Sequence, residues 1–278
     1  MLELAKECKN ILAFTHVSTA YVNSNMPNNS VVEEKVYDLP GNHDPEQIVQ
    51  DIVNLGPQRV AEQELAILGD YPNTYTFSKA LAERAIKKNR GDLPVTILRP
   101  SIIICNYDEP FRGWIDSLAA SGGLILGVSI GVLHFFCADS KAILDFVPCD
   151  FVSNQILVQT AYTAMEPTPN LNIIHSATTT KNPISILEVR DTTLKYSKYT
   201  PWYQNLARVW STTIAKPQAW RLAVAVTETL PIALALLYAN ASGNEKLAKQ
   251  LNVLSMVSEK MISVQTVFHH FIRNTWLF

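Results

Sequence analysis

Glycine is scarce in this sequence, and its distribution limits the nucleotide-binding motifs that the chain can contain. Only 10 of the 278 residues are glycine, and the first of them is Gly41. The dinucleotide-binding fingerprint and the P-loop both need closely spaced glycines, because a backbone without side chains approaches phosphate groups most closely. The first 40 residues therefore contain neither motif.

Charged residues and cysteines are also sparse. Charged side chains make up 17% of the chain, with 23 basic and 25 acidic residues, whereas soluble domains contain roughly 25%. This balance excludes a protein that binds nucleic acid through charge attraction. The four cysteines, at positions 8, 105, 137 and 149, include no pair at the spacing of a zinc site. We therefore expect free thiols in a reducing compartment and no metal.

Two stretches are unusually apolar. Residues 122–137 are too few to span a bilayer, which needs about 20 apolar residues. Residues 222–241 are long enough, but Glu228 and Pro231 lie near the middle, and a carboxylate there costs about 2.5–3.5 kcal/mol. We expect the second stretch to be a buried helix or a helix that lies against a membrane surface. A transmembrane span is the less favoured alternative.

The order of predicted elements indicates a parallel α/β sheet. Helical patterns alternate with short β-branched or aromatic runs, as in chains whose strands are joined by helices. Strands are predicted at 11–22, 94–98 and 172–175, helices at 2–8, 57–68 and 74–89, and a polar insert at 23–56. Asn73 or Thr74 is positioned to cap the helix that follows it. Residues 204–272 are mostly helical in pattern, and we place a domain boundary at 185, between segments 1–185 and 186–278.

Tyr75 and Lys79 are the strongest candidates for catalytic residues. Four residues apart on a helix, they share one face, and a neighbouring ammonium group lowers the pKa of a phenol. The pair suits general-acid catalysis at a carbonyl oxygen. Ser18 and Thr19, at the end of the first strand, either hydrogen-bond that carbonyl or cap the strand end. Arg99, at the end of the second strand, either contacts a phosphate or makes structural hydrogen bonds.

Five segments appear in one order along the chain: HVSTAYVN (16–23), PNTYTFSKALAE (72–83), ILRPSII (97–103), EPFRGWIDS (109–117) and DFVPCDFVSN (145–154). Together they closely resemble the alcohol-forming fatty acyl-CoA reductases of the extended short-chain dehydrogenase/reductase superfamily. The resemblance implies a partial Rossmann-like doubly wound parallel sheet that lacks its first βαβ units, followed by a mostly helical C-terminal region. Members of the family have a glycine-rich strand–turn–helix at the N-terminus, and the resemblance implies that this chain stops inside the family's C-terminal domain. We therefore expect an N- and C-terminally incomplete reductase.

The resemblance also implies roles for individual residues. Tyr75 would be the proton donor, and Lys79 would orient the ribose of NADPH and tune Tyr75. Thr19 would position the substrate carbonyl, with Ser18 as the alternative. Pro100, Ser101 and Ile102 would contact the nicotinamide. Gly113 and Trp114 would contact the acyl substrate.

The activity implied by the resemblance is the NADPH-dependent reduction of a long-chain fatty acyl-CoA to a fatty alcohol through an aldehyde. The implied location is intracellular and membrane-associated, at the peroxisome or endoplasmic reticulum. Two alternatives remain open. The chain could be a non-catalytic fragment that only binds a membrane or a protein partner, or another NADPH-dependent thioester or carbonyl reductase of the same superfamily.

Overall fold

The computed structural model of the protein describes residues 1–38, 44–117, 121–166, 168–199 and 208–278. Their helices are α1 (Leu2–Glu7), α2 (Pro45–Glu62), α3 (Glu64–Leu68), α4 (Thr74–Asn89), α5 (Ser121–Ser129), α6 (Cys149–Met165), α7 (Ile186–Tyr199), α8 (Pro217–Val224), α9 (Leu230–Ala241) and α10 (Glu245–Phe268). Their strands are β1 (Phe14–Val17), β2 (Val95–Pro100), β3 (Ile102–Ile104), β4 (Phe135–Phe136), β5 (Ile143–Leu144), β6 (Phe146–Pro148), β7 (Asn172–Ser176), β8 (Ile184–Ser185) and β9 (Thr212–Thr213).

These elements form two compact units. The first comprises Met1–Trp114, Asp145–Lys181 and Trp276–Phe278, and the second comprises Ile115–Leu144 and Asn182–Thr275. The segment between residues 115 and 144 thus belongs to the second unit, although it lies between two stretches of the first. The boundary predicted at residue 185 stays a prediction.

The largest sheet of the first unit has three parallel strands in the order β1-β2-β7. Side chains alternate between its two faces, as they do along any strand. Val95 and Ile97 pack against Ala5 and Ile86, from α1 and α4, on one face. On the other face, Leu98 packs against Val152 of α6. Helices therefore cover both faces of a parallel sheet, which confirms the predicted Rossmann-like fold class.

The first strand is shorter than the sequence pattern predicts. The expected strand covered residues 11–22, but β1 contains only Phe14–Val17, and a 3₁₀-helix occupies Ala20–Asn23. The physical reason is Thr19, whose side chain accepts a hydrogen bond from the Tyr21 N–H and caps the 3₁₀-helix. Apolar β-branched composition favours a strand, but a local cap competes with it and ends the strand early.

The polar insert predicted at 23–56 is more helical than expected. Its residues from Pro45 onward form the first part of α2, which has Asp44 as its N-cap and Pro45 in its first turn. The 18 residues of α2 include a kink at Gly56, whose φ of 75° is the left-handed conformation that glycine favours. The predicted cap of α4 is confirmed for Asn73, whose Oδ1 accepts the Thr76 N–H at 2.9 Å.

A buried ion pair joins β2 to α4. The Arg99 guanidinium donates to both carboxylate oxygens of Glu83, at 3.0 Å and 2.6 Å, and both side chains are fully buried. Its remaining donors reach the carbonyl oxygens of Glu33 and Lys35 and Nε2 of His175. Of the two interpretations of Arg99, the structure supports structural hydrogen bonding.

The apolar segment of the second unit is exposed. Of the two expected arrangements, burial inside the protein is therefore wrong, and contact with a membrane surface stays a prediction. Helices α8 and α9, joined by the π-helical turn Ala225–Thr229, form a 25-residue segment, Pro217–Ala241, whose most apolar window is only 11% buried. Glu228 turns inward, where its carboxylate contacts His134 Nδ1 at 3.1 Å and Ser258 Oγ at 3.2 Å. The outer face exposes 53–69% of each member of what we call the apolar stripe: Leu222, Val226, Leu230, Leu234, Leu237 and Tyr238.

We expect Glu83→Leu to lower the free energy of unfolding by about 3–5 kcal/mol, because it leaves the buried Arg99 charge without a partner. Urea denaturation of the purified chain measures the loss. The matched control is Glu62→Leu, an exposed glutamate of α2, which should change the stability by no more than about 0.5 kcal/mol. Equal effects of the two substitutions would contradict the importance of the ion pair.

Candidate active site

The carboxyl ends of β1 and β2 bring the predicted site residues of two segments together. The Ser18 N–H donates to the Leu98 carbonyl at 2.7 Å. The Thr19 hydroxyl lies 3.5 Å from the Pro100 carbonyl, which it contacts as a donor. In doubly wound sheets, ligands bind in the crevice outside these carboxyl ends. Ser18 and Thr19 therefore lie at the edge where such a crevice is expected, beside Pro100.

Ser18 and Thr19 differ in what their hydroxyl groups already do. The Thr19 hydroxyl accepts the Tyr21 N–H at 3.3 Å and contacts the Pro100 carbonyl. The Ser18 hydroxyl is buried and has no hydrogen-bond partner among the described residues. The Ser18 hydroxyl is thus free to hydrogen-bond a substrate carbonyl, whereas the Thr19 hydroxyl would first have to give up its contact with the Pro100 carbonyl. The assignment of the substrate carbonyl to Thr19 rather than Ser18 stays a prediction.

Helix α4 directs Lys79 to the end of β1. The Lys79 ammonium donates to the Val17 carbonyl at 2.9 Å, one residue before Ser18. Tyr75 lies one turn earlier on the same helix face and is 54% exposed. The structure therefore holds the Tyr75–Lys79 face of α4 against the end of β1.

Several buried polar atoms near the ends of β1 and β2 have no partner among the described residues. They are Ser18 Oγ, His16 Nε2, Asn23 Nδ2 and Ser101 Oγ. Buried polar groups in native proteins are nearly always hydrogen-bonded, so such a group of orphans favours a polar ligand. Their chemistry, two hydroxyls, an amide and an imidazole, suits the nicotinamide half of a dinucleotide.

His16 and Asn23 are candidate site residues that the sequence reasoning missed. They are the first and last residues of the segment HVSTAYVN, so their place in that segment was the available signal. Desolvation, followed by the nearby Lys79 ammonium, lowers the pKa of His16. The imidazole is therefore neutral at physiological pH and can donate from one nitrogen and accept at the other.

The segment that contains Gly113 and Trp114 forms a closed loop. The Asn106 N–H donates to the Trp114 carbonyl and the Gly113 N–H donates to the Asn106 carbonyl, both at 2.9 Å. Gly113 has a φ of 78°, a conformation that other residues rarely adopt. Trp114 is 37% exposed. The roles of Gly113 and Trp114 in contacting an acyl substrate stay predictions, as does the contact of Ile102 with a nicotinamide.

Asp150, which the sequence reasoning also missed, anchors this loop. Its carboxylate accepts the backbone N–H groups of Tyr107, Asp108 and Glu109 at 2.9–3.1 Å. Desolvation acts to raise its pKa, but these hydrogen bonds, with one from the Phe151 N–H, together lower it to about 2. Asp150 is therefore ionised at neutral pH and fixes the loop to the start of α6.

A Tyr-x-x-x-Lys helix face at the carboxyl edge of a parallel, doubly wound sheet defines the short-chain dehydrogenase/reductase class. Comparisons with known proteins agree with this class. The sequence profile described as "Male sterility protein", an NAD-binding family, matches residues 1–156. That match covers more than half of the chain, and the chain belongs to this family.

Curated relatives of the chain are named as fatty acyl-CoA reductases. Fatty acyl-CoA reductase 1 of Xenopus laevis is 28% identical over 277 residues, which are 100% of this chain and 52% of that protein. Fatty acyl-CoA reductase 2 of Mus musculus is 35% identical over 183 residues, 66% of this chain and 35% of that protein. The chain thus spans about half the length of the first of these relatives.

Among solved structures, the terminal R domain from the myxalamid PKS-NRPS biosynthetic pathway is similar at 19% identity with a TM-score of 0.49. The similarity covers 92% of this chain and 48% of that chain.

We expect Asp150→Asn to destabilise the protein in a pH-dependent way. The folded-state pKa of Asp150 is lower than that of an unfolded aspartate, about 3.9, so its ionised form stabilises the fold above that pH. This contribution is lost as the pH falls through about 2. Urea denaturation of both proteins should show the full stability difference at pH 7 and a shrinking difference from about pH 4 to pH 2. A difference that does not depend on pH would contradict the anchoring role.

Proposed function

We propose that this chain carries the acid–base and substrate-binding part of an NADPH-dependent reductase that converts a long-chain fatty acyl-CoA to a fatty alcohol through an aldehyde. The observation that carries the proposal is the contact between the Lys79 ammonium and the Val17 carbonyl. It holds the helix face of Tyr75 and Lys79 beside Ser18 and Thr19. The names of the curated relatives support the substrate class.

Tyr75 would supply a proton to the substrate carbonyl oxygen. Its phenol is half exposed at the edge of the site, so a substrate can reach it. The Lys79 ammonium, one helical turn away, favours negative charge on the phenol oxygen after the proton has left. Reduction of a thioester and reduction of an aldehyde both put negative charge on the same carbonyl oxygen, so one acid can serve both steps. A hydroxyl group of Thr19 or Ser18 would hold that oxygen in place.

The described residues fit the nicotinamide half of NADPH, which supplies hydride when it is bound. The unpartnered Ser101 hydroxyl, beside Pro100 and Ile102, and the unpartnered amide of Asn23 offer hydrogen bonds to a carboxamide or a ribose hydroxyl. Lys79 would exchange its contact with the Val17 carbonyl for a ribose hydroxyl. Donors for the pyrophosphate would have to come from outside the first 40 residues, which lack the glycine-rich motif.

The apolar stripe suits association with an anionic membrane surface. From Leu222 to Asn244, Glu228 is the only charged residue, and it is turned inward. Four basic residues flank this segment, Lys216 and Arg221 before it and Lys246 and Lys249 after it, against the single exposed carboxylate of Glu245. An apolar helix face between cationic ends is complementary to acyl chains beneath anionic headgroups. A long-chain acyl substrate would be available at the same surface.

Replacement of the proton donor, Tyr75→Phe, should lower the formation of hexadecanol from palmitoyl-CoA and NADPH by about 10²- to 10⁴-fold, the usual contribution of a general acid. Gas chromatography of the extracted product measures the rate. Tyr199→Phe is the matched control, because Tyr199 is exposed on α7 and its loss should leave the rate unchanged. A Tyr75→Phe protein that is as active as the parent would refute the assignment.

Vesicle flotation tests the membrane surface. The chain should float with phosphatidylcholine vesicles that contain phosphatidylserine, and less with vesicles that lack it. The double substitution Leu230→Glu and Leu234→Glu should weaken binding to the vesicles by at least about tenfold. It replaces two leucines that are exposed in the free protein and would become buried in the membrane surface. Leu157→Glu, at a leucine of α6 that is even more exposed, should bind like the parent. If the double substitution only dissociates a dimer and leaves flotation unchanged, the stripe contacts a second copy instead.

A further inference from the structure

A cleft of about 570 Å³ lies in the first unit, between the loop that Asp150 anchors and the first turns of α6. The residues that line it are Asn106, Glu109, Pro110, Trp114, Cys149, Asp150, Ser153 and Asn154. The wall combines an apolar part, from Pro110 and Trp114, with amide, hydroxyl, thiol and carboxylate groups. Of these residues, only Trp114 entered the predicted site.

Asn106 is the feature that points to a ligand in this cleft. Its backbone closes the loop, through the Asn106 N–H to the Trp114 carbonyl and the Gly113 N–H to the Asn106 carbonyl. The residue as a whole is only 6% exposed, yet its side-chain Oδ1 is buried and has no hydrogen-bond partner among the described residues. A buried acceptor without a donor costs about 1–3 kcal/mol. A ligand with an N–H group would remove that cost.

The charge of the cleft restricts the ligand further. Glu109 and Asp150 bring carboxylates to its wall, and none of the described residues that line it is a lysine or an arginine. Phosphate groups are therefore disfavoured, because like charges at short range repel. The cleft suits a neutral chain that carries amide groups and has an apolar side to lie on Pro110 and Trp114.

We propose that this cleft binds the neutral, amide-bearing arm that links the nucleotide of a coenzyme A thioester to its sulfur. Asn106 Oδ1 would accept an amide N–H of the arm, and the Asn154 side chain would donate to an amide carbonyl. Ser153 already donates to the Cys149 carbonyl at 2.9 Å, so its oxygen can only accept. The proposal rests on the proposed function, since it places part of the acyl-CoA substrate beside Trp114.

Cys149 provides a direct readout of occupancy. It is a free, partly exposed thiol on the wall of the cleft, whereas Cys8 is a free, exposed thiol that does not line the cleft. Iodoacetamide modifies both, and peptide mass spectrometry gives the rate at each position. The probe is S-methylpantetheine, which is neutral and has no thiol of its own to react.

We expect the probe, at about ten times its dissociation constant, to slow the alkylation of Cys149 about tenfold, because only the free protein reacts. The rate at Cys8 should not change. Asn106→Leu should abolish the protection, and Asn106→Asp, which keeps an acceptor oxygen, should retain it. Asn252→Leu, the same substitution at an exposed position of α10, should behave like the parent.

Two results would overturn the proposal. One is the absence of protection at Cys149 at millimolar probe, and the other is protection that persists in Asn106→Leu. Thermal unfolding monitored by circular dichroism verifies that the Asn106 variants are folded. If Asn106→Leu is unfolded, Asn106→Asp decides the test, because it should retain the protection at Cys149 and a loss there would contradict the proposal. The experiment uses neither NADPH nor reduction. A chain that forms hexadecanol without protection at Cys149 would refute this proposal alone, whereas protection without hexadecanol would refute only the proposed activity.

Discussion

The buried pair of Arg99 and Glu83 is the constraint on which the candidate active site depends. Two charges without access to water are tolerated only when nearly every donor and acceptor is satisfied. Arg99 meets this condition by binding both oxygens of Glu83 and the carbonyls of Glu33 and Lys35. His175 completes the set as an acceptor, and desolvation, followed by the Arg99 charge, lowers its pKa to about 4. One guanidinium thus ties together β2, β7, α4 and the insert.

The ion pair also decides which face α4 presents to the site. Tyr75, Lys79 and Glu83 are spaced by four residues and share one helix face. When Arg99 holds Glu83, the rotation of the helix about its axis is set, and Lys79 reaches the Val17 carbonyl. Both carboxylate oxygens of Glu83 are bound by Arg99, so its part in the proposed site would be to position Tyr75 and Lys79. The geometry of the site follows from a long-range contact in the fold.

Local signals made much of this structure predictable from the sequence. The periodicity of α4, its Asn73 cap and the β-branched runs of β2 and β7 depend on neighbouring residues, and the structure contains each of them. Asp44 and Pro45 were equally local signals for the start of α2 but were hidden in a polar segment. The motif residues Tyr75 and Lys79 could be proposed from spacing alone. The partner of Arg99 could not, because sixteen residues separate it from Glu83 and only the sheet brings them together.

Glu228 shows why a one-dimensional pattern fails where a helix has two different faces. In the sequence, a carboxylate in the middle of an apolar stretch counts against a transmembrane span. In the structure, His134 and Ser258 bind that carboxylate on the inner side. The charge is therefore absent from the outer side, where the apolar stripe is exposed. Hydropathy averaged along the chain adds the two faces together, whereas a membrane surface contacts only one of them. An inward carboxylate is therefore compatible with the surface association that we propose.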